Sequence, residues 1–146
     1  MDALDLLMQH HKTLKKLFKQ AKNARDVKKQ RRIFAQIDTE LSIHDHIEET
    51  VFYPEMEQYE ELKEMVEEAM EEHEEIKTLL IEMAPLAGSM EFDSPLQELV
   101  EIVETHIEEE ETELFPKIRE LWDETTLEQL GDRLESAKDE QQLQAG

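Results

Sequence analysis

Cysteine is absent from the 146 residues, which excludes disulfides, thiolate metal ligands and thiol nucleophiles. Glycine and proline are scarce, three and four residues, so there is no material for a Gly-rich phosphate loop and little for tight turns. Aromatic residues make up only 5%. With valine and isoleucine scattered as well, a sheet lacks its usual building stock. Basic side chains number 16 against 38 acidic ones, a formal net charge of −22. That surface repels phosphate backbones and anionic headgroups, so neither nucleic acid nor membrane is expected as a partner. No apolar run reaches membrane length, and the opening MDALDLLMQHHKTLKK is too charged for a secretory leader. A cytoplasmic location is the expectation.

What is present is helix-forming, with Leu, Glu, Lys, Met and Gln dominant. Apolar residues recur at three- and four-residue steps through four long segments. The first covers 2–22, with Leu4, Leu7, Leu14 and Phe18 on its stripe. The second covers 27–59, with Ile33, Ile37, Leu41 and Val51, and Pro54 kinking or breaking its far end. The third covers 61–83 with Leu62, Val66, Ala69, Ile76 and Leu80, and the fourth opens at Ser94-Pro95 and runs to 122. Between them PLAGSMEFDSP reads as a loop. The expected fold is all-α: an antiparallel up-and-down four-helix bundle over residues 1–122, then a short extra helix and polar tail over 123–146. Ten of the sixteen basic residues lie between Lys12 and Arg32. This local positive patch is read as a solvated face.

An internal repeat organises the chain. A shift of 62 takes His11 to His73, His44 to His106, Glu48 to Glu110, Thr50 to Thr112, Tyr53 to Phe115 and Pro54 to Pro116. Two helix hairpins related by an approximate two-fold follow from it. At roughly 100° per residue, His11, His44, His73 and His106 each fall in the middle of an apolar stripe, with Glu48 and Glu110 on the same inward side. His46 faces solvent and His10 lies at the boundary. A lone core histidine is usually structural. Four of them with two buried carboxylates and scarcely a basic partner (Lys77 is the exception) leave charge that a bound dication would neutralise. Imidazole plus carboxylate suits iron, manganese or zinc and disfavours calcium and magnesium. Six such groups fit two metals bridged by the carboxylates, with a hydroxide or oxide as a further bridge.

LLMQHHKTLKKLF, HDHIEETVFYP, EEHEEIKTLL and HIEEEETELFP, taken in order, resemble the bacterial hemerythrin-like, HHE cation-binding domains over nearly the whole of residues 1–122. The resemblance implies a four-helix bundle around a non-haem di-iron centre that binds dioxygen or related oxidants. It implies His11, His44, His73 and His106 as terminal ligands and Glu48 and Glu110 as bridging carboxylates. The oxygen-carrying hemerythrins have a fifth histidine where Lys77 stands, and an aspartate five residues after the fourth-helix histidine where this chain offers Glu110 at four. Both departures weigh against reversible oxygen carriage. Glu113 is open to two roles, a supplementary ligand or a partner of Lys77, and Tyr53 and Phe115 read as packing residues.

The expected function is a di-iron protein that binds or reacts with dioxygen, hydrogen peroxide or nitric oxide, with peroxide decomposition as its enzymatic version. The alternatives are an iron-sensing or iron-storing module without oxygen chemistry, and a helical interaction domain. The oligomeric state is left open.

Overall fold

Capping sets where the helices start. The structure, a computed structural model, describes residues 1–145. The Asp2 carboxylate accepts from the Asp5 N–H at 2.8 Å and opens α1, Ala3–Asn23. Asp26 accepts from the Lys29 N–H at 3.0 Å and opens α2, Val27–Ile47. Such caps satisfy amides that have no partner within the helix.

After α2 the chain stays helical but changes gauge. Glu48–Phe52 forms a π-turn, and Tyr53–Met56 resumes as a short α3. The same sequence of events follows α5, Asp93–Glu109: a π-turn at Glu110–Leu114, then α6, Phe115–Leu121. Both π-turns start on a repeated glutamate and end just before the aromatic-proline step. Proline lacks the N–H that an α-turn would use and crowds the carbonyl four residues back. The wider turn accommodates it: the Tyr53 N–H donates to Glu48 O and the Phe115 N–H to Glu110 O, five residues back. Pro54 thus widens its helix instead of ending it.

α4, Glu60–Met83, completes the four main helices. The linker after it holds two 3₁₀ turns, 84–86 and 90–92, and α5 starts at Asp93, a residue before the expected Ser94 cap. Around the bundle α1 packs on α2, α2 on α4, α4 on α5 and α5 on α1. The last helix, α7, spans Glu124–Ala145 and packs on α1, α2 and the first π-turn. It is a 22-residue helix, not the short helix and tail expected. Leu127, Leu130 and Leu134 form its buried stripe. No helix among the described residues is long and apolar enough to cross a membrane.

The core is in two parts. One gathers Phe18, Ile37, Ile76, Phe92 and Leu99. The other gathers Leu4, Leu7, Ile47, Phe52, Met56, Val66 and Ile118, with the α7 leucines. The buried histidines and carboxylates belong to neither cluster.

Candidate metal centre

All six residues singled out by periodicity are buried and face one another: His11, His44, Glu48, His73, His106 and Glu110 are each at most 3% exposed. They form two donor groups, His11–His44–Glu110 and His73–His106–Glu48, and His44 and Glu48 form a further group with the buried Asp45. In the second, the two Nε2 atoms lie 3.1 Å apart, and Glu48 Oε1 is 3.3 Å from His73 Nε2 and 3.8 Å from His106 Nε2. In the first, Glu110 Oε1 lies 3.3 Å from His11 Nε2. The carboxylates also reach across. Glu48 Oε1 is 3.3 Å from His44 Nε2, while Glu110 Oε2 is 3.5 Å from His106 Nε2. Glu110 therefore offers one oxygen to each group.

The Nδ1 atoms decide what the Nε2 atoms can do. His11 Nδ1–H donates to Glu111 at 2.7 Å, His73 Nδ1–H to Glu49 at 2.9 Å and His106 Nδ1–H to Glu72 at 2.7 Å. A neutral ring that donates at Nδ1 has a lone pair at Nε2. Three such lone pairs aim inward at carboxylate oxygens and at each other. His11 Nε2, His44 Nε2, Glu48 Oε2 and Glu110 Oε1 are buried with no hydrogen-bond partner. Buried polar atoms are rarely left so. Two ligand atoms about 2.1 Å from one cation stand about 3.0–3.4 Å apart at octahedral to tetrahedral angles. The spacings above lie close to that range, so the residues present fit a metal pair.

Without metal, protons take over. Burial would pull the His73 imidazole down, but hydrogen bonds to Glu48 and Glu49 prevail and hold it up at about 10. His106 and His11 are raised against burial in the same way, chiefly by Glu110. Burial would push the Glu48 carboxyl up, yet the surrounding imidazoles, His44 first, hold it well below the carboxylate range. The buried carboxylates thus hold protons on these rings.

The comparisons agree with this chemistry. The profile of the hemerythrin HHE cation binding domain matches residues 2–118. The chain belongs to the hemerythrin HHE family. A hemerythrin-like protein of Schizosaccharomyces pombe is 35% identical over 115 residues, 77% of this chain and 57% of that protein. A DNA nickase of Nostoc sp. is 29% identical over 147 residues, all of this chain and 42% of the nickase. The chain thus spans about half the length of these curated relatives. Among solved structures, a hemerythrin HHE cation binding domain-containing protein from Mycobacterium kansasii superposes with a TM-score of 0.84. It covers 99% of this chain and 90% of its own at 22% identity, a likeness of fold.

Beyond the HHE residues themselves, the structure brings in others that periodicity did not single out. Asp45 is 2% exposed, its Oδ1 3.5 Å from His73 Nε2, and burial pushes its carboxyl up to about 6. Its repeat counterpart is Ile107, so the two-fold is broken there. Tyr53 packs on His73 as Phe115 stacks on His11, which fits the packing role expected of both. Tyr53 does more: its O–H donates to Glu110 Oε2 at 2.7 Å, and burial first, then Glu110 and Glu48, keep the phenol protonated far above its ordinary range. Glu49 and Glu111 are themselves 62 residues apart, a signal that was there to be read.

His10, expected at the boundary, is 8% exposed because α7 covers it. Burial, with His44 and Lys138 beside it, pushes its imidazole down to about 3. His46 is exposed, as expected. Lys77 points outward and pairs with Glu49 at 3.1 Å and Glu74 at 3.4 Å, so it supports the His73 partner; Glu113 is not among its partners. Instead Glu113 stands on the wall of a small cavity, about 30 Å³, whose lining also includes Glu68, Glu72, His106, Glu109 and Glu110. Room for a water molecule or two is room for a diatomic.

Proposed function

We propose that the protein holds two metal ions, iron in the working form, in the two His/Glu groups and there binds or reacts with dioxygen, hydrogen peroxide or nitric oxide. The observation that carries the reading is the inward set of lone pairs fixed by carboxylates at Nδ1, with Glu110 extending one oxygen to each group. His11, His44, His73 and His106 would serve as terminal ligands and Glu48 and Glu110 as bridges; zinc or manganese suits the same donors. Iron would supply one-electron redox chemistry and a coordination position for a small oxidant.

The chain's own residues do the remainder. The Tyr53 O–H lies 3.3 Å from His73 Nε2 as well as 2.7 Å from Glu110 Oε2, a proton donor at the inner face of the site. Phe52 and Phe115, at most 3% exposed, keep bulk water from that side. The cavity of about 30 Å³ beside His106 and Glu110 has room for a small ligand. Peroxide decomposition needs nothing beyond this plus turnover. The likeness to a DNA nickase does not bring DNA as a partner, because a net charge of −22 opposes a phosphate backbone.

Anaerobic reconstitution with ferrous iron, metal counting, and absorption spectra before and after air provide the test. Two irons per chain with new near-ultraviolet and visible charge-transfer bands are expected. Fewer than about one iron per chain, or a spectrum indifferent to oxygen, would sink the reading. A second reading, an iron-sensing or storage module, is favoured by the unpartnered buried atoms alone. It predicts two irons and strong stabilisation with no oxygen response.

A further inference from the structure

Three of the four inward histidines donate through Nδ1 to a glutamate, and the fourth does not. The partner of His44 is another histidine: His10 Nδ1 lies 3.3 Å from His44 Nδ1. The 62-residue shift takes His10 to Glu72, the residue that accepts from His106. One hairpin therefore has an acceptor where the other has a ring that can also donate.

Which way that ring is used depends on α7. Lys138 Nζ lies 3.4 Å from His10 Nε2. An ammonium has no lone pair and can only donate. His10 then accepts at Nε2 and carries its proton on Nδ1, where it donates to His44 Nδ1. His44 must accept at Nδ1 and keep its own proton on Nε2. That atom is the one facing Glu48 Oε1 at 3.3 Å. In their neutral forms His11, His73 and His106 have a lone pair at Nε2, whereas neutral His44 has an N–H there.

Resting on the two-metal reading above, we propose that His10, held by Lys138, makes the two half-sites unequal. The His73–His106–Glu48 half takes the first cation, and the His11–His44–Glu110 half takes the second, more weakly. To fill it, the His44 proton moves from Nε2 to Nδ1 and the His10 proton from Nδ1 to Nε2. Both rings stay neutral, and His10 parts from the Lys138 ammonium. Asp45 lies 3.5 Å from His73 Nε2 but also groups with His44 and Glu48, so it favours neither half. His10 and Lys138 are positioning residues acting through His44, and α7 is the element that sets the second affinity.

The test is zinc titration of the metal-free chain by calorimetry, with native mass spectrometry to count ions and histidine ring NMR to place them. The wild type should fill in two steps at least about tenfold apart, the scale on which outer partners act. At one equivalent, the His73 and His106 rings should shift before those of His11 and His44. His10→Glu restores the glutamate of the other hairpin and should strengthen the second step about tenfold, leaving the first unchanged. Lys138→Met, which removes the donor but keeps the stem, should do the same if His10→Glu disturbs folding. Two equal steps in the wild type, a first zinc at His11 and His44, or an unmoved second step in both variants would each overturn the inference while leaving the two-metal reading intact. No zinc bound at all would overturn both.

Discussion

At the residue scale, the proposed metal would compete with protons for the same histidines, and the competition has a definite sign. In the metal-free chain His73 is held up at about 10 against an ordinary value of 6.5. Its contribution to stability is therefore fully present below pH 6.5 and lost as the pH rises through about 10. Glu48 works the other way, depressed in the folded state, so its contribution is present above its ordinary value and lost in acid. Metal needs the imidazoles deprotonated, so its affinity climbs over the same interval in which the proton-bound form weakens. Melting temperatures with and without saturating zinc, recorded from pH 6 to 9, should diverge as the pH rises. A gap that is constant or narrows would show that metal does not displace these protons.

The residues differ in how legible they were. His11, His44, His73 and His106 sit on regular α-turns, so their phase is read directly from spacing. Glu49 and Glu111 fall on the shoulder of the same turns, where a glutamate in an acidic sequence looks like solvated surface. Only the histidine across the bundle gives each a role. Asp45, about 100° round the helix from His44, is buried because α4 covers that flank and brings His73 to it.

At the element scale, the π-turns explain what periodicity missed about Tyr53. Five residues of α-helix rotate a side chain roughly 140° away from Glu48, which would put the phenol off the site. A π-turn takes roughly 80° per residue and brings it back. Nothing in composition announces that change of gauge, although the aromatic-proline step marks both places. The length of α7 was hidden for a different reason: its second half is polar and its stripe ends at Leu134, so only contacts such as Lys138 with His10 and Arg133 with Glu55 define it. Gly131 seats α7 against the chain start, where an added Cβ would run into the Met1 carbonyl and the Ala3 amide. Alanine is the better helix former by about 1 kcal/mol in open helix. Here the obstacle is backbone, so Gly131→Ala should lower stability by about 1–3 kcal/mol. A denaturant midpoint equal to or above wild type would mean the N-terminal segment gives way freely.

At the scale of the whole molecule, a polar layer lies between two apolar cores, and each core is complete without it. Phe18, Ile37 and Leu99 close one, Phe52, Val66 and Ile118 the other. The layer between them joins all four main helices through His11, His44, His73 and His106. Cross-bundle ties there are hydrogen bonds such as His11 to Glu111 and His73 to Glu49, and metal would replace inward contacts among like groups with shared coordination. Removing metal should therefore leave the helices formed and weaken the join. Metal present at about a hundred times its dissociation constant adds about 2.7 kcal/mol for one site. For a chain of this length that corresponds to about 5–10 °C in Tm. Chelation should lower the melting temperature by at least that much with little change in far-ultraviolet circular dichroism at 25 °C. Loss of helicity on chelation would instead make the metal a condition of folding, and an unchanged Tm would mean that the join holds on protons and hydrogen bonds alone.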